Sequence, residues 1–220
     1  MLRVFLLLAA GVSASWAQGT TDPVYQTNFS DLLPADANSP IDGGGKLQSG
    51  FTASHYSAGA GVVRMRLVPL GEDFPPRSDP STWGESAFIS EAAGTNPATT
   101  IEEAVNADAY IEFTLHSDNV VDFTRIEFSM AGAGSNKSGA LALRSSADNF
   151  SSDLVVAQGA LNGKLYPSSA DLDGLPGFDN VREITFRFYI FDEFEGNNNR
   201  LIGVDEVRVW AVPALTPAAQ

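Results

Sequence analysis

The sequence predicts an all-β chain folded as an antiparallel β-sandwich or barrel. Three observations lead there. Apolar and polar residues alternate with period two in segment after segment, turn-forming clusters separate the segments, and no twelve residues hold a capped helical period. In "ITFRFYIF" (184–191), Ile184, Phe186, Phe188 and Ile190 fall on one face, and Thr185, Arg187, Tyr189 and Phe191 on the other. An up-and-down barrel fits less well, because the connections vary widely in length.

The first element is not part of the fold. "MLRVFLLLAAGVSASWA" carries Arg3, then an apolar run from Val4 to Val12, then Ser15 and Ala17 at signal-peptidase spacing. This pattern predicts a secretory signal over 1–17. The run is too short to cross a bilayer core of about 30 Å at about 1.5 Å per residue. No later segment is long and apolar enough for a membrane helix.

A lead at 18–23 precedes the predicted sandwich, 24–212. Strands are expected at 23–30, 46–54, 61–68 and 85–91. A single short helical turn falls within "TTIEEAVNADAY". "AYIEFTLH" (109–116) alternates Ile111, Phe113 and Leu115 with Tyr110, Glu112 and Thr114. "TRIEFSMAG" (124–132) alternates Ile126, Phe128 and Met130 with Arg125, Glu127 and Ser129. Further strands follow at 139–145, 153–158, 163–169, 184–191 and 200–212. The last sets Val207, Val209 and Ala211 against Arg208 and Trp210. A Pro-rich loop with no apolar period covers 69–84, and a flexible tail is expected over 213–220.

Composition narrows the function. The 220 residues hold 27 acids and 13 bases, a formal net charge of −14. Loss of the leader removes one arginine and no acid, leaving −15. Such a chain is a poor partner for nucleic acid or anionic lipid, which need concentrated Lys and Arg. There is no cysteine, so disulfides, thiol catalysis and thiolate metal sites are excluded. With His55 and His116 as its two histidines, the chain has no His-rich zinc pattern.

The segment from Arg144 to Phe150 is rich in catalytic residue types, but no histidine lies within twenty positions and no Gly-x-Ser-x-Gly elbow is present. It reads instead as a strand with Leu141 and Leu143 inward and Ala142 and Arg144 outward. Ser146–Asn149 form a turn, and Phe150 packs inward. "DLDGLPGFDN" (171–180) lacks the position-5 ligand, the position-6 glycine and the position-12 glutamate of an EF-hand and reads as a turn. Asp205 shares parity with Val207, Val209 and Ala211, which places it toward the core unless a β-bulge turns it outward. A buried carboxylate needs an arginine, backbone N–H groups or a cation.

Taken in order, the motifs resemble a jelly-roll domain of exported bacterial proteins, the kind found in PEP-CTERM sorted proteins. The resemblance rests on Tyr110/Phe113/Thr114, Ile126/Phe128, Arg144/Ser145/Ser146/Asp148/Phe150, Phe186/Arg187/Tyr189 and Val204/Asp205/Val207/Val209. It implies an antiparallel two-sheet jelly-roll β-sandwich related to galactose-binding-like domains and carbohydrate-binding modules. The sorting tail of that group, a Pro-Glu-Pro signature with an apolar helix and a basic end, does not follow "AVPALTPAAQ". In similar carbohydrate-binding jelly rolls, an aspartate on the closing strand helps hold a structural calcium. The resemblance therefore implies a calcium at Asp205, with Asn28 or a neighbouring carbonyl as a second ligand.

Glycan binding requires aromatic faces for sugar rings and polar groups for hydroxyls. The candidates are Trp83 in the long loop, Tyr189 and Phe191 on an outward face, Trp210, and Arg187 as a hydroxyl donor, with Tyr56 and Phe194 as further aromatics. The leading expectation is a non-catalytic secreted or cell-surface module that binds extracellular polysaccharide or cell-surface components. One alternative is a matrix or adhesion protein without a sugar site. The other is a polysaccharide hydrolase using Glu112 and Glu127, which must then stand about 5–5.5 or about 6.5–9.5 Å apart.

Overall fold

A computed structural model describes residues 22–27, 29, 36–37, 45–69, 86–92, 98–133, 138–160, 165–191 and 201–214. Residues 1–17, Asn28, Trp83 and Phe194 lie outside the described residues. Thirteen strands and one short helix follow in order: β1 (Tyr25–Thr27), β2 (Asp36–Ala37), β3 (Lys46–Leu47), β4 (Phe51–Ala53), β5 (Ser57–Ala58), β6 (Val62–Pro69), β7 (Ser86–Ala92), α1 (Ile101–Asn106), β8 (Tyr110–Ala133), β9 (Ser138–Ser145), β10 (Val155–Ala160), β11 (Leu165–Asp171), β12 (Val181–Phe191) and β13 (Leu201–Pro213). Every pairing is antiparallel. The fold is all-β, an antiparallel sandwich of jelly-roll type.

Its organising element is β8. Two strands are expected at 109–116 and 124–132, but the chain stays extended through 24 residues. No proline interrupts 110–133, and its first glycine is Gly132, so nothing breaks the backbone. The strand serves both layers. Its first half pairs with β12, Phe113 opposite Phe186 and Ile111 opposite Phe188, and with β4 and β5 on the other side. Its second half pairs with β11 and β13, Ile126 opposite Ala170 and Val209. The first layer therefore runs β10-β9-β12-β8, and the second runs β11-β8-β13-β7-β6-β2, with β1 and β3 along the far part of β13.

The core lies between the layers and follows the period-two faces. Phe113, Leu141, Leu143, Ile184, Phe186 and Phe188 come from the first layer; Ile126, Phe128, Met130, Val204, Val207 and Val209 come from the second. All are buried. The Phe128 and Phe188 rings meet edge-on at 5.0 Å, closing one layer onto the other.

The helix is six residues long and capped at its start: the Thr100 hydroxyl accepts the Glu103 N–H at 3.2 Å. The Glu103 carboxylate reaches back to the Thr99 N–H and hydroxyl, 2.7 and 2.8 Å, which depresses its pKa. Ala104 of α1 packs with Tyr189, Phe191, Ala140 and Ala142 on the outer face of the first layer. A small residue at the contact lets the helix lie close to the sheet.

Candidate functional site

The two outer faces of the sandwich carry different chemistry. On the first layer, β8, β12 and β9 place Glu112, Arg187 and Arg144 side by side, with Arg187 opposite both. Arg187 Nε donates to Glu112 Oε2 at 2.7 Å, and the guanidinium lies 4.2 Å from the Tyr110 ring and 3.8 Å from the Phe150 ring. It is a cation held between two aromatic planes. Arg144 is tied down as well: its Nε donates to Asp153 at 2.6 Å and its Nη1 to the Phe150 carbonyl at 3.0 Å.

The turn after β9 builds this cluster. Ser146–Asp148 form one 3-10 turn, and Asn149 and Phe150 both take left-handed backbone, each at φ 58°. A bulky residue there is strained. The Asp148 carboxylate holds the loop, accepting the Ser151 and Ser152 N–H groups at 3.1 and 2.9 Å. Partial burial pushes the Asp148 pKa up, but hydrogen bonds from Ser152 and Ser151 outweigh that and leave it lowered. Phe150 therefore does not enter the core as expected. The left-handed step turns it onto Arg187 instead.

Tyr189 and Phe191 lie on the outward face of β12, as parity predicts, but they are 3% and 7% exposed. The packing of α1 against them leaves neither a ring face open to a sugar. Arg187 is committed to Glu112 and its two rings. Trp210 stands on the opposite side of the molecule, on the second layer. The described candidates therefore do not form one groove.

The outer face of the second layer carries a groove of its own. Arg125, Glu127 and Ser129 alternate along β8, opposite Trp210, Arg208 and Asp205 at the edge of the β13 bulge. The cavity, about 270 Å³, is lined by Arg125, Glu127, Ser129, Ser168, Glu206 and Arg208, among others. Ser129 is its buried floor, at 2% exposure, and β11 borders it with Pro167 and short serines. Proline is tolerated in β11 because this is an edge strand among the described residues.

Both arginines in the groove are paired with one carboxylate. Arg125 Nη2 lies 2.5 Å from Glu127 Oε1, and Arg208 Nη1 lies 3.7 Å from Glu127 Oε2. Ser129 Oγ donates to Glu206 Oε2 at 2.7 Å. The Arg125 guanidinium lies 5.7 Å from the Trp210 ring, next to the groove, and Trp210 is partly exposed. Sequence reasoning named Trp210 and Glu127 here but missed Arg125, Arg208 and Glu206. Their shared outward parity with Glu127 and Trp210 was the available signal.

Asp205 is fully buried. A register shift between Asp205 and Arg208 shows that a bulge is present, yet Asp205 stays inside. Glu206 instead takes left-handed backbone, φ 52°, and donates its N–H to Asp205 Oδ1 at 2.7 Å. Asp205 also acts on the core. Burial first, then Tyr25 at a hydroxyl–hydroxyl distance of 3.2 Å, then the Asp205 charge push the Tyr56 phenol well above its usual pKa. Among the described residues no three His, Asp or Glu come together around Asp205 or elsewhere. One carboxylate falls short of the six to eight oxygens calcium takes. Asn28, the second expected ligand, lies outside the described residues.

The pair named for the hydrolase alternative is not assembled. Glu112 faces out from the first layer, paired with Arg187, and Glu127 from the second, paired with Arg125 and Arg208.

No family model matches the chain, and no curated protein matches it. Several solved structures resemble it weakly. An arabinose-bound GH51 α-L-arabinofuranosidase is 11% identical, with TM-score 0.42, over 86% of this chain; the chain spans 27% of that protein's length. A Stig cyclase from Fischerella sp. TAU is 12% identical over 92% of this chain and 93% of its own, TM-score 0.40. A CBM27 module of Caldicellulosiruptor saccharolyticus, in complex with mannohexaose, is 12% identical over 73% and 90%, TM-score 0.37.

Proposed function

We propose that this chain is an exported carbohydrate-binding module whose glycan site is the groove on the outer face of β11, β8 and β13. The observation that carries the reading is the groove itself: two arginines ion-paired to Glu127, and Glu206 hydrogen-bonded to a serine floor, with partly exposed Trp210 beside it. Oriented donors and acceptors next to an aromatic face suit a polyhydroxylated ring. The signal pattern over 1–17 supports export.

Affinity electrophoresis against a panel of polysaccharides tests the reading. The wild-type chain should be retarded by at least one polymer. Trp210→Ala should weaken that retention by about tenfold, the loss of one aromatic contact worth about 1–1.5 kcal/mol. If no polymer retards the chain, the matrix or adhesion reading takes its place.

Calcium at Asp205 is a separate proposal, supported by the complete burial of that carboxylate beside β1, whose Thr27 pairs with Val207. A bound cation stabilises the native state by mass action, so chelator should lower the melting temperature. An unchanged melting temperature overturns it.

A further inference from the structure

Resting on the groove as a glycan site, we propose that it takes an uncharged glycan segment, and that Glu206, turned outward by the left-handed bulge in β13, accepts hydrogen bonds from the hydroxyls of that segment.

The backbone argument comes first. Glu206 is a non-glycine residue at φ 52°, within a stretch where Glu206 and Val207 together face Phe128. Glycine would hold that conformation more cheaply. The bulge is locked from inside by the fully buried Asp205, which accepts the Glu206 N–H. Local strain held by a buried anchor is a feature of functional positions. Its effect here is to keep Asp205 buried while aiming the next side chain into the groove.

The second argument is charge. Arg125 and Arg208 both lie against Glu127, so the lining carries two positive and two negative groups in a chain of net charge −14. An acidic sugar would meet Glu127 and Glu206 and compete with Glu127 for its arginines. A neutral sugar hydroxyl can donate to a carboxylate and accept from an arginine without disturbing that balance. Glu206 Oε2 already accepts from Ser129, and Oε1 has no hydrogen-bond partner among the described residues, so it can receive a hydroxyl.

The experiment compares the wild type with Glu206→Gly and Glu206→Gln in gels containing neutral polymers (glucan, mannan, galactan, xylan) or acidic ones (polygalacturonate, alginate). It is run from about 0.05 to about 0.5 M NaCl, a range over which charge screening tightens severalfold. Neutral polymers should retain the wild type independently of salt. Glu206→Gly should bind about tenfold more weakly, the loss of one charge-assisted hydrogen bond, while its melting temperature stays level or rises as the left-handed strain is relieved. If Glu206→Gly melts lower, Glu206→Gln decides: several-fold weaker binding at an unchanged melting temperature supports the proposal, and unchanged binding overturns it. Retention on neutral polymer that is equal in all three proteins overturns the role of Glu206 and leaves the groove reading standing. Retention on acidic polymers that salt abolishes overturns the neutral class. No retention on any polymer overturns this proposal together with the groove reading.

Discussion

Phe113→Ala should cost about 3–5 kcal/mol of unfolding free energy, the range for truncating a buried phenylalanine. Phe113 has no exposed surface and lies at the junction of the layers. Its ring stacks on Tyr56 at 4.9 Å and meets Tyr25 at 5.4 Å, Phe186 at 5.6 Å and Phe188 at 6.3 Å. Alanine removes the transfer energy of the ring and leaves a gap that four rigid neighbours cannot refill. There is no disulfide to limit the damage. Denaturant unfolding, read as a shift in midpoint at constant slope, measures the loss. A loss under about 1 kcal/mol would mean that the rings collapse into the space.

Arg187→Ala should cost about 2–4 kcal/mol. Breaking a buried ion pair costs about 3–5 kcal/mol, while an exposed pair contributes about 0–1. The Arg187 and Glu112 side chains are 24% and 26% exposed, which places this pair between those limits. The two ring contacts each add about 0.5–1 kcal/mol. Arg187→Lys should recover less than half, because an ammonium is not planar and cannot fill the slot between Tyr110 and Phe150. A double-mutant cycle with Glu112→Gln isolates the ionic part. Equal stability of the Lys and Arg proteins would show that stacking contributes nothing. A loss of glycan retention in a folded Arg187→Ala protein would move the binding site to this face.

Period-two alternation made most of the fold legible. It placed Phe186 and Phe188 inside, Arg187 and Trp210 outside, and Asp205 in the interior. Each placement depends on the side chain's own strand, where successive residues must point to opposite faces. The same logic split β8 in two, because the apolar positions change from odd (Ile111, Phe113, Leu115) to even (Ile126, Phe128, Met130) across the segment, although no glycine or proline breaks it. The structure keeps it extended because different partner strands take up the backbone groups of each half.

The site was less legible, since it depends on what covers a face as well as which face a residue occupies. Parity put Tyr189 and Phe191 outward, and α1, only six residues long, buried them. Phe150 was expected inside, and the left-handed backbone of Asn149 and Phe150 put it on Arg187. Arg125 and Arg208 showed outward parity, but their convergence on Glu127 depends on β13 running beside β8, a pairing of residues some eighty positions apart. By itself the sequence determined the strand faces and the acidic cysteine-free chemistry, and it pointed Asp205 inward on the condition that a bulge did not turn it. Which strands are neighbours, where the helix lies and how the bulge aims Glu206 were decided by the tertiary structure. Alternation is a local property of an extended backbone, whereas strand pairing and cover are long-range contacts that no short window of sequence contains.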